Sequence, residues 1–270
     1  MWKLLPLVPL FLCFNSCALA QSRDQTANGK EMNGAFTLAR AMDLVYGSYD
    51  YSRMSSRWTP NQTRNYPDPW PDTIDVWPLM DMPYLEDTTA KHLLITEALP
   101  RTTDPTLYTC HLCSPMIGFI LFAKNPDGWL VEASDLQFGN YGEFGRPPLL
   151  SLQPIGSNRC GITMTTSFGS TGEWEKSVTI IIPTNGKFLK VFGAQTEGSS
   201  DYNCSGTLAE EQKNGCVAYD GDIEMSPHSG SEYFELVLSH RVYRSFSKKS
   251  PVGTTVTRYL FDGSKYVPVK

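Results

Sequence analysis

Three segments of this chain share one pattern, and it constrains the fold more than any other feature. Leu121-Phe122-Ala123 runs through Asn125-Pro126-Asp127-Gly128 into Trp129-Leu130-Val131. Ile181-Ile182 runs through Asn185-Gly186 into Lys187-Phe188-Leu189, and Tyr259-Leu260-Phe261 through Asp262-Gly263 into Lys265-Tyr266-Val267. Each is an apolar strand, an Asp-Gly or Asn-Gly turn and an aromatic returning strand. Such dipeptides accept the positive φ values that tight hairpins need. The turn glycines stand at 128, 186 and 263, too unevenly for a strict propeller or solenoid repeat.

Short stretches rich in β-branched and aromatic residues, separated by turn signals, extend the series. They predict strands at 92–96, 116–123, 129–133, 149–154, 160–167, 176–182, 187–192, 233–239, 254–261 and 265–269. The expected fold is mainly β. It is an antiparallel meander forming a sandwich, an open barrel or an irregular propeller fragment over 90–270, with one N-terminal helix. That helix is predicted over 35–46, where Ala35, Leu38, Ala39, Met42, Val45 and Tyr46 make one apolar face. Asn33 is its expected cap and Gly47 its stop. Residues 21–34 read as a flexible mature N-terminus.

Between helix and strands, Trp58, Trp70 and Trp77 stand among Pro60, Pro67, Pro69, Pro71, Pro78 and Pro83. This proline load argues against a long helix or a central strand. The segment reads as irregular, its tryptophans packing across the β domain. The functional alternative is an aromatic binding surface formed by Trp58, Trp70 and Trp77.

The start of the chain speaks to location. Lys3, an apolar run from Leu4 to Phe14, then Ala18-Leu19-Ala20 before Gln21 make a secretory signal peptide over 1–20. Phe14-Asn15-Ser16-Cys17 fits a lipid-attachment motif poorly, so a periplasmic or secreted product is expected over a lipoprotein. Loss of Lys3 takes the formal charge from −5 to −6. A mildly acidic chain without a basic run disfavours nucleic acid and anionic lipid as partners. No later segment is apolar for the roughly 18 residues a transmembrane helix needs, so no stable membrane insertion is expected.

Five cysteines remain after cleavage, in an oxidising compartment where disulfides are the default. Cys204 and Cys216 flank a polar loop and are expected to staple it. Cys110 and Cys113 are expected to close on each other. Cys160 alternates in phase with Ile162 and Met164, which predicts a buried free thiol. Cys110-His111-Leu112-Cys113 also carries two weaker alternatives. Its two thiols and imidazole suit a soft metal, but no fourth ligand stands nearby in sequence. Its Cys-x-x-Cys spacing suits a redox pair, but Pro115 and a strand follow where an activating helix would be needed.

Hydrolase signatures are sparse. Phe168-Gly169-Ser170-Thr171-Gly172 has the wrong spacing for a nucleophile elbow, and no His-Glu-x-x-His occurs. Glu173 and Glu175 flank Trp174, an arrangement compatible with glycoside chemistry and more commonly a solvated strand face. Asp220-Gly221-Asp222 lacks the ligand series of a calcium loop. Asn61-Gln62-Thr63 and Asn203-Cys204-Ser205 match glycosylation acceptors, which matter only in a eukaryotic host. No cofactor motif is present, and no catalytic residue is assigned.

The signal peptide, the helix Ala35 to Tyr46, Cys110-His111-Leu112-Cys113-Ser114-Pro115-Met116-Ile117-Gly118 and the terminal Tyr259-Leu260-Phe261-Asp262-Gly263-Ser264-Lys265-Tyr266-Val267 resemble a group of exported, periplasmic proteins of Gram-negative bacteria. The resemblance spans most of the mature chain. It implies a periplasmic address and carries no mechanism, because the group has no established activity. Two function classes follow. One is a non-enzymatic binding or inhibitory protein acting on another protein or an extended ligand, with immunity against a periplasm-acting toxin as one form. The other is an exported hydrolase acting on glycans.

Overall fold

The computed structural model describes residues 27–60, 73–100, 110, 113–170, 173–200, 207, 209–210, 216–244 and 251–269. These residues are mainly strand, arranged as two antiparallel sheets with one helix, as the hairpin series predicts. Sheet 1 contains β1 (Glu31–Asn33), β2 (Tyr49–Asp50), β3 (Ser55–Trp58), β4 (Ile74–Glu86), β5 (Thr89–Leu99), β6 (Met116–Lys124) and β7 (Gly128–Asn140). Sheet 2 contains β8 (Leu149–Pro154), β9 (Cys160–Ser170), β10 (Glu173–Thr184), β11 (Lys187–Ser200), β12 (Ala218–Ser226), β13 (Glu235–Tyr243), β14 (Gly253–Phe261) and β15 (Tyr266–Pro268). Sheet 2 is a continuous meander in chain order, whereas sheet 1 runs β1-β7-β6-β5-β4-β3-β2. All three predicted hairpins form: β6–β7, β10–β11 and β14–β15. Asn185 and Gly186 take φ of 49° and 77° in the second turn.

The helix α1 (Leu38–Tyr46) carries the chain from β1, at one edge of sheet 1, to β2 at the other. It starts later than its apolar period suggests. Glu31 to Asn33 pair with Leu130 to Gly128 of β7, so Asn33 is held in a strand and Thr37 becomes the cap. The ordered stretch 27–34 likewise corrects the expectation of a flexible segment there; residues 1–26, with the predicted signal peptide, lie outside the described residues. No helix among the described residues is long and apolar enough to cross a membrane.

Sheet 1 is covered on both faces. Ala41, Met42, Val45 and Tyr46 of α1 pack on Ile74, Val76, Leu94, Ile120, Phe122 and Val131. The alternate residues Leu93, Ile95, Ile117, Phe119 and Leu121 pack on Leu150, Ile162, Met164, Ile181 and Phe188 of sheet 2. Burial on both faces explains why β6 reads as an unbroken apolar run whose first seven residues are all buried. Each large side chain so buried contributes about 1.5–3 kcal/mol.

The proline-rich stretch is in part a correction. Residues 74–86 form a thirteen-residue strand inside sheet 1, with Trp77, Pro78 and Pro83 in it. The prolines are tolerated because β3 pairs only with Ile74, Asp75 and Val76. Beyond Val76 that edge of β4 has no β3 residue waiting for an amide proton, and the ladder to β5 shifts register between Pro78 and Met80.

Candidate functional site

Strand alternation gives β10 two faces. Ile181 points into the layer between the sheets, while Ile180 and Ile182 join a separate cluster with Ile155, Phe192, Leu236 and Tyr266. Lys176 and Val178 lie in the same phase as Ile180, so they continue that second face toward the start of the strand. Sheet 2 curls around this face as a half-barrel. The curl is fixed where the β8–β9 turn meets the segment before β13: Phe234 N donates to Ile155 O at 2.8 Å and Ser157 N to Glu232 O at 3.3 Å. Gly156 and Tyr233 form a β-bridge there. The approach requires glycine, since a Cβ on Gly156 would stand 2.3 Å from Glu232 O.

Strand β12 opens the half-barrel. It pairs with β11 over only three residues, Ala218 to Asp220, but with β13 along its whole length. A cavity of about 610 Å³ is lined by residues on both sides of the gap so formed. Its apolar wall comes from Pro154, Val178, Ile223, Met225 and Phe234. Its polar collar comes from Gln153, Thr163, Thr165, Thr196, Glu197, Lys176 and Asp222. Three ion pairs order this collar. Lys176 Nζ meets Glu197 Oε1 at 2.9 Å, and Arg241 holds Asp220 and Asp222 at 2.6 and 2.7 Å. Ile223 and Met225 of the apolar wall belong to one cluster with Phe192, Tyr259, Phe261 and Tyr266, whose rings meet edge-on. Burial, and then the neighbouring Tyr233, push the Tyr266 phenol up to about 12.

A second cluster ties the half-barrel to sheet 1. Lys91 on β5 reaches Glu86 at 2.6 Å and Glu132 at 2.8 Å. Arg159, on the β8–β9 turn, pairs with Glu232 at 2.8 Å and lies 3.6 Å from Glu86. Cys160 beside it is a free thiol, as its strand phase suggested, though half-buried rather than fully buried. Burial first, and the Glu86 charge second, raise its pKa above the ordinary thiol value. A raised pKa favours the unreactive thiol over the thiolate.

The other sequence-singled residues lie elsewhere. Cys110 and Cys113 are disulfide-bonded, with Cα atoms 5.0 Å apart. Their carbonyls accept from Phe144 N at 3.2 Å and Gly145 N at 2.6 Å, so the small ring docks on the β7–β8 connection. That connection borders a smaller cavity, of about 320 Å³, which shares Thr165 and Lys176 with the large one. His111 lies outside the described residues. Among the described residues no group of three His, Cys, Asp or Glu side chains could hold a metal ion. Cys216 is disulfide-bonded and buried, while Cys204, its expected partner, lies outside the described residues. So do Asn61 and Asn203 of the two acceptor motifs.

Trp58 packs against the helix-side core and meets Tyr46 edge-on at 5.4 Å. Trp77 pairs with Glu97, out of phase with Val76, and so stands on the opposite face of sheet 1. Trp58 and Trp77 therefore share no surface, and Trp70 lies outside the described residues. The described histidines are likewise scattered. His92 stacks on Phe36 at 3.8 Å and meets Asp81 at 2.8 Å, His228 faces Glu235 at 3.6 Å, and His240 meets Tyr219 edge-on.

No family model, curated protein or solved structure matches this chain.

Proposed function

We propose that this chain is an exported, periplasmic, non-enzymatic binding protein whose ligand is a small amphipathic molecule held in the half-barrel of sheet 2. One observation carries the reading: the cavity opened where β12 leaves β11 combines an apolar wall with a polar collar. That is the make-up of a small-molecule site, in which apolar area supplies affinity and a few polar groups fix orientation. The mouths of curled sheets and small barrels are where such sites recur. None of His92, His228 and His240 lines this cavity, which supports binding over histidine-based hydrolysis there. The signal-like leader supports export.

The test uses the mature chain and an environment-sensitive apolar dye, anilinonaphthalene sulfonate. Its fluorescence should rise saturably with a one-to-one stoichiometry. Val178→Trp and Ile223→Trp, which fill the apolar wall, should each abolish the rise while leaving the far-UV spectrum unchanged. Equal dye binding by both folded variants would overturn the reading. Mass spectrometry of protein recovered from the periplasm should give Gln21 as the first residue; a lipidated Cys17 would overturn soluble export.

A further inference from the structure

On β10, Glu175 is out of phase with Lys176 and Val178, so it faces away from the cavity. It belongs to a row in register across four strands. Phe168 on β9 faces Glu175, Glu175 faces Gly198 on β11, and Gly198 faces Tyr219 on β12. Gly198 has no side chain, and Tyr219 takes the space: a Cβ there would lie 2.2 Å from Tyr219 Oη. The phenol thus reaches across β11 toward Glu175, braced at its other side by His240, whose ring lies edge-on at 5.2 Å. Glu175 thereby stands between two aromatic residues in one cross-strand row.

Glu173 and Trp174 extend the same groove, which has a volume of about 360 Å³. Phe168 and Trp174 are 43% and 36% exposed, within reach of a ligand. Gln195 donates to Glu175 Oε2 at 2.7 Å and so orients the carboxylate. The lining brings two carboxylates and, among the described residues, no basic side chain. Burial, and then the Glu175 charge, raise the Tyr219 phenol above its ordinary value, which fits a negative potential at the ring.

The geometry points to a binding site for an organic ammonium group in this groove, a site separate from the half-barrel cavity and independent of the reading given to it. A cation gains from the negative faces of aromatic rings and from a carboxylate beside them. A neutral sugar would stack on the same rings but leave two carboxylates without a counter-charge among the described residues. A bare metal ion would gain little from the rings.

The test titrates the mature chain at constant ionic strength with tetramethylammonium, spermidine and glucosamine, and with the neutral 3,3-dimethylbutan-1-ol. Amide chemical shifts around Glu175, Gly198 and Tyr219 report binding. At least one cation should shift them saturably and the alcohol should not. The order among the cations then tells a quaternary headgroup from a polyamine or an amino sugar. Glu175→Gln should weaken binding by roughly tenfold, the loss of one charge-assisted contact. Phe168→Leu, which keeps bulk but removes the ring face, should weaken it as well. The proposal is overturned if no cation saturates, if the alcohol binds as well as the cations, or if folded Glu175→Gln binds like the parent chain. Since the dye reads a different cavity, failure here leaves the half-barrel reading intact, and the reverse.

Discussion

Lys91 Nζ lies 2.6 Å from Glu86 Oε2, and the two side chains are only 8% and 6% exposed. Glu132, nearly half exposed, takes the same ammonium from its other side. A buried ion pair is weak evidence of net stabilisation, because desolvation opposes the attraction. Removing one partner alone is a different matter, since it leaves buried Glu86 with only the part-exposed Arg159, 3.6 Å away, as a counter-charge. Lys91→Met should therefore cost about 3–5 kcal/mol, read as a fall in the urea midpoint. Adding Glu86→Gln to it should recover a large part of the loss. Burial works against the Lys91 charge, but the hydrogen bonds to Glu132 and Glu86 outweigh it and hold the pKa above the ordinary lysine value. The sign follows. The contribution is complete below the unfolded lysine pKa of about 10.4 and is lost as pH rises through the higher folded value. Denaturation midpoints of parent and Lys91→Met chains should converge above that range. A gap that stays constant into strong alkali would refute the assignment.

Glu97 behaves in the opposite sense. It stands on β5 between Trp77 and Ile117, and its Oε2 is buried with no hydrogen-bond partner among the described residues. Burial raises its pKa above the ordinary carboxyl value. The folded state thus binds the proton more tightly than the unfolded one. Stability falls as pH rises from the unfolded toward the folded pKa, and the penalty stays above it. Glu97→Gln should raise stability at pH 7 by roughly 1 kcal/mol, with the advantage vanishing as pH falls through that window. Thermal melts from pH 3 to 8 check both the sign and the window.

The elements legible in the sequence were those whose pattern is local. Turn signals and apolar runs mark β8 at its observed bounds and β6 within a residue. No local signal marks β12. Its Asp220-Gly221-Asp222 has low strand propensity and looks like a turn. In the structure Asp220 and Asp222 both reach Arg241 on the adjacent strand, a contact that no local rule reports. β4 is hidden for a similar reason: its prolines become harmless only because β3 ends early. The cavity was invisible for want of register. Its lining is gathered from five strands, β8 through β12, and from Phe234 before β13, and depends on β12 leaving β11 after three pairs. Glu173-Trp174-Glu175 stands out in the sequence as a chemical pattern, but its companions Phe168 and Tyr219 join it only through the cross-strand row.

The disulfide between Cys110 and Cys113 closes a ring too small to restrict the unfolded chain strongly. Chain-entropy reasoning for so short a loop gives about 2 kcal/mol. The backbone bonds from Cys110 and Cys113 to Phe144 and Gly145 make the ring a clamp on the β7–β8 connection. A Cys110→Ala, Cys113→Ala chain should therefore lose about that much stability, and hydrogen exchange should quicken at Phe144 and Gly145. Dye binding in the half-barrel should persist in the folded fraction. Loss of binding without loss of fold would give the pair a direct role instead. One equivalent of zinc or copper in protein purified without reductant, lost on replacing His111, would favour the metal reading.

Gly156 offers the sharpest test of how the half-barrel is closed. Its bridge to Tyr233 joins the β8–β9 turn to the segment leading into β13, and Arg159 and Glu232 reinforce the same junction with an ion pair at 2.8 Å. These two contributions are unequal. The ion pair is part-exposed, so Arg159→Ala should cost no more than about 1 kcal/mol. Gly156→Ala instead drives a methyl toward a backbone oxygen, which cannot swing aside as a side chain would. The strands must part, at a cost of about 1–3 kcal/mol for overpacking, and the hydrogen bond from Ser157 N to Glu232 O is lost with them. Phe234 lies next to Tyr233 at that bridge and lines the cavity. The Gly156→Ala chain should therefore bind the apolar dye more weakly while Arg159→Ala binds it nearly as the parent does. Equal stability and equal dye affinity in the parent and Gly156→Ala chains would show that the bridge does not hold the cavity in shape.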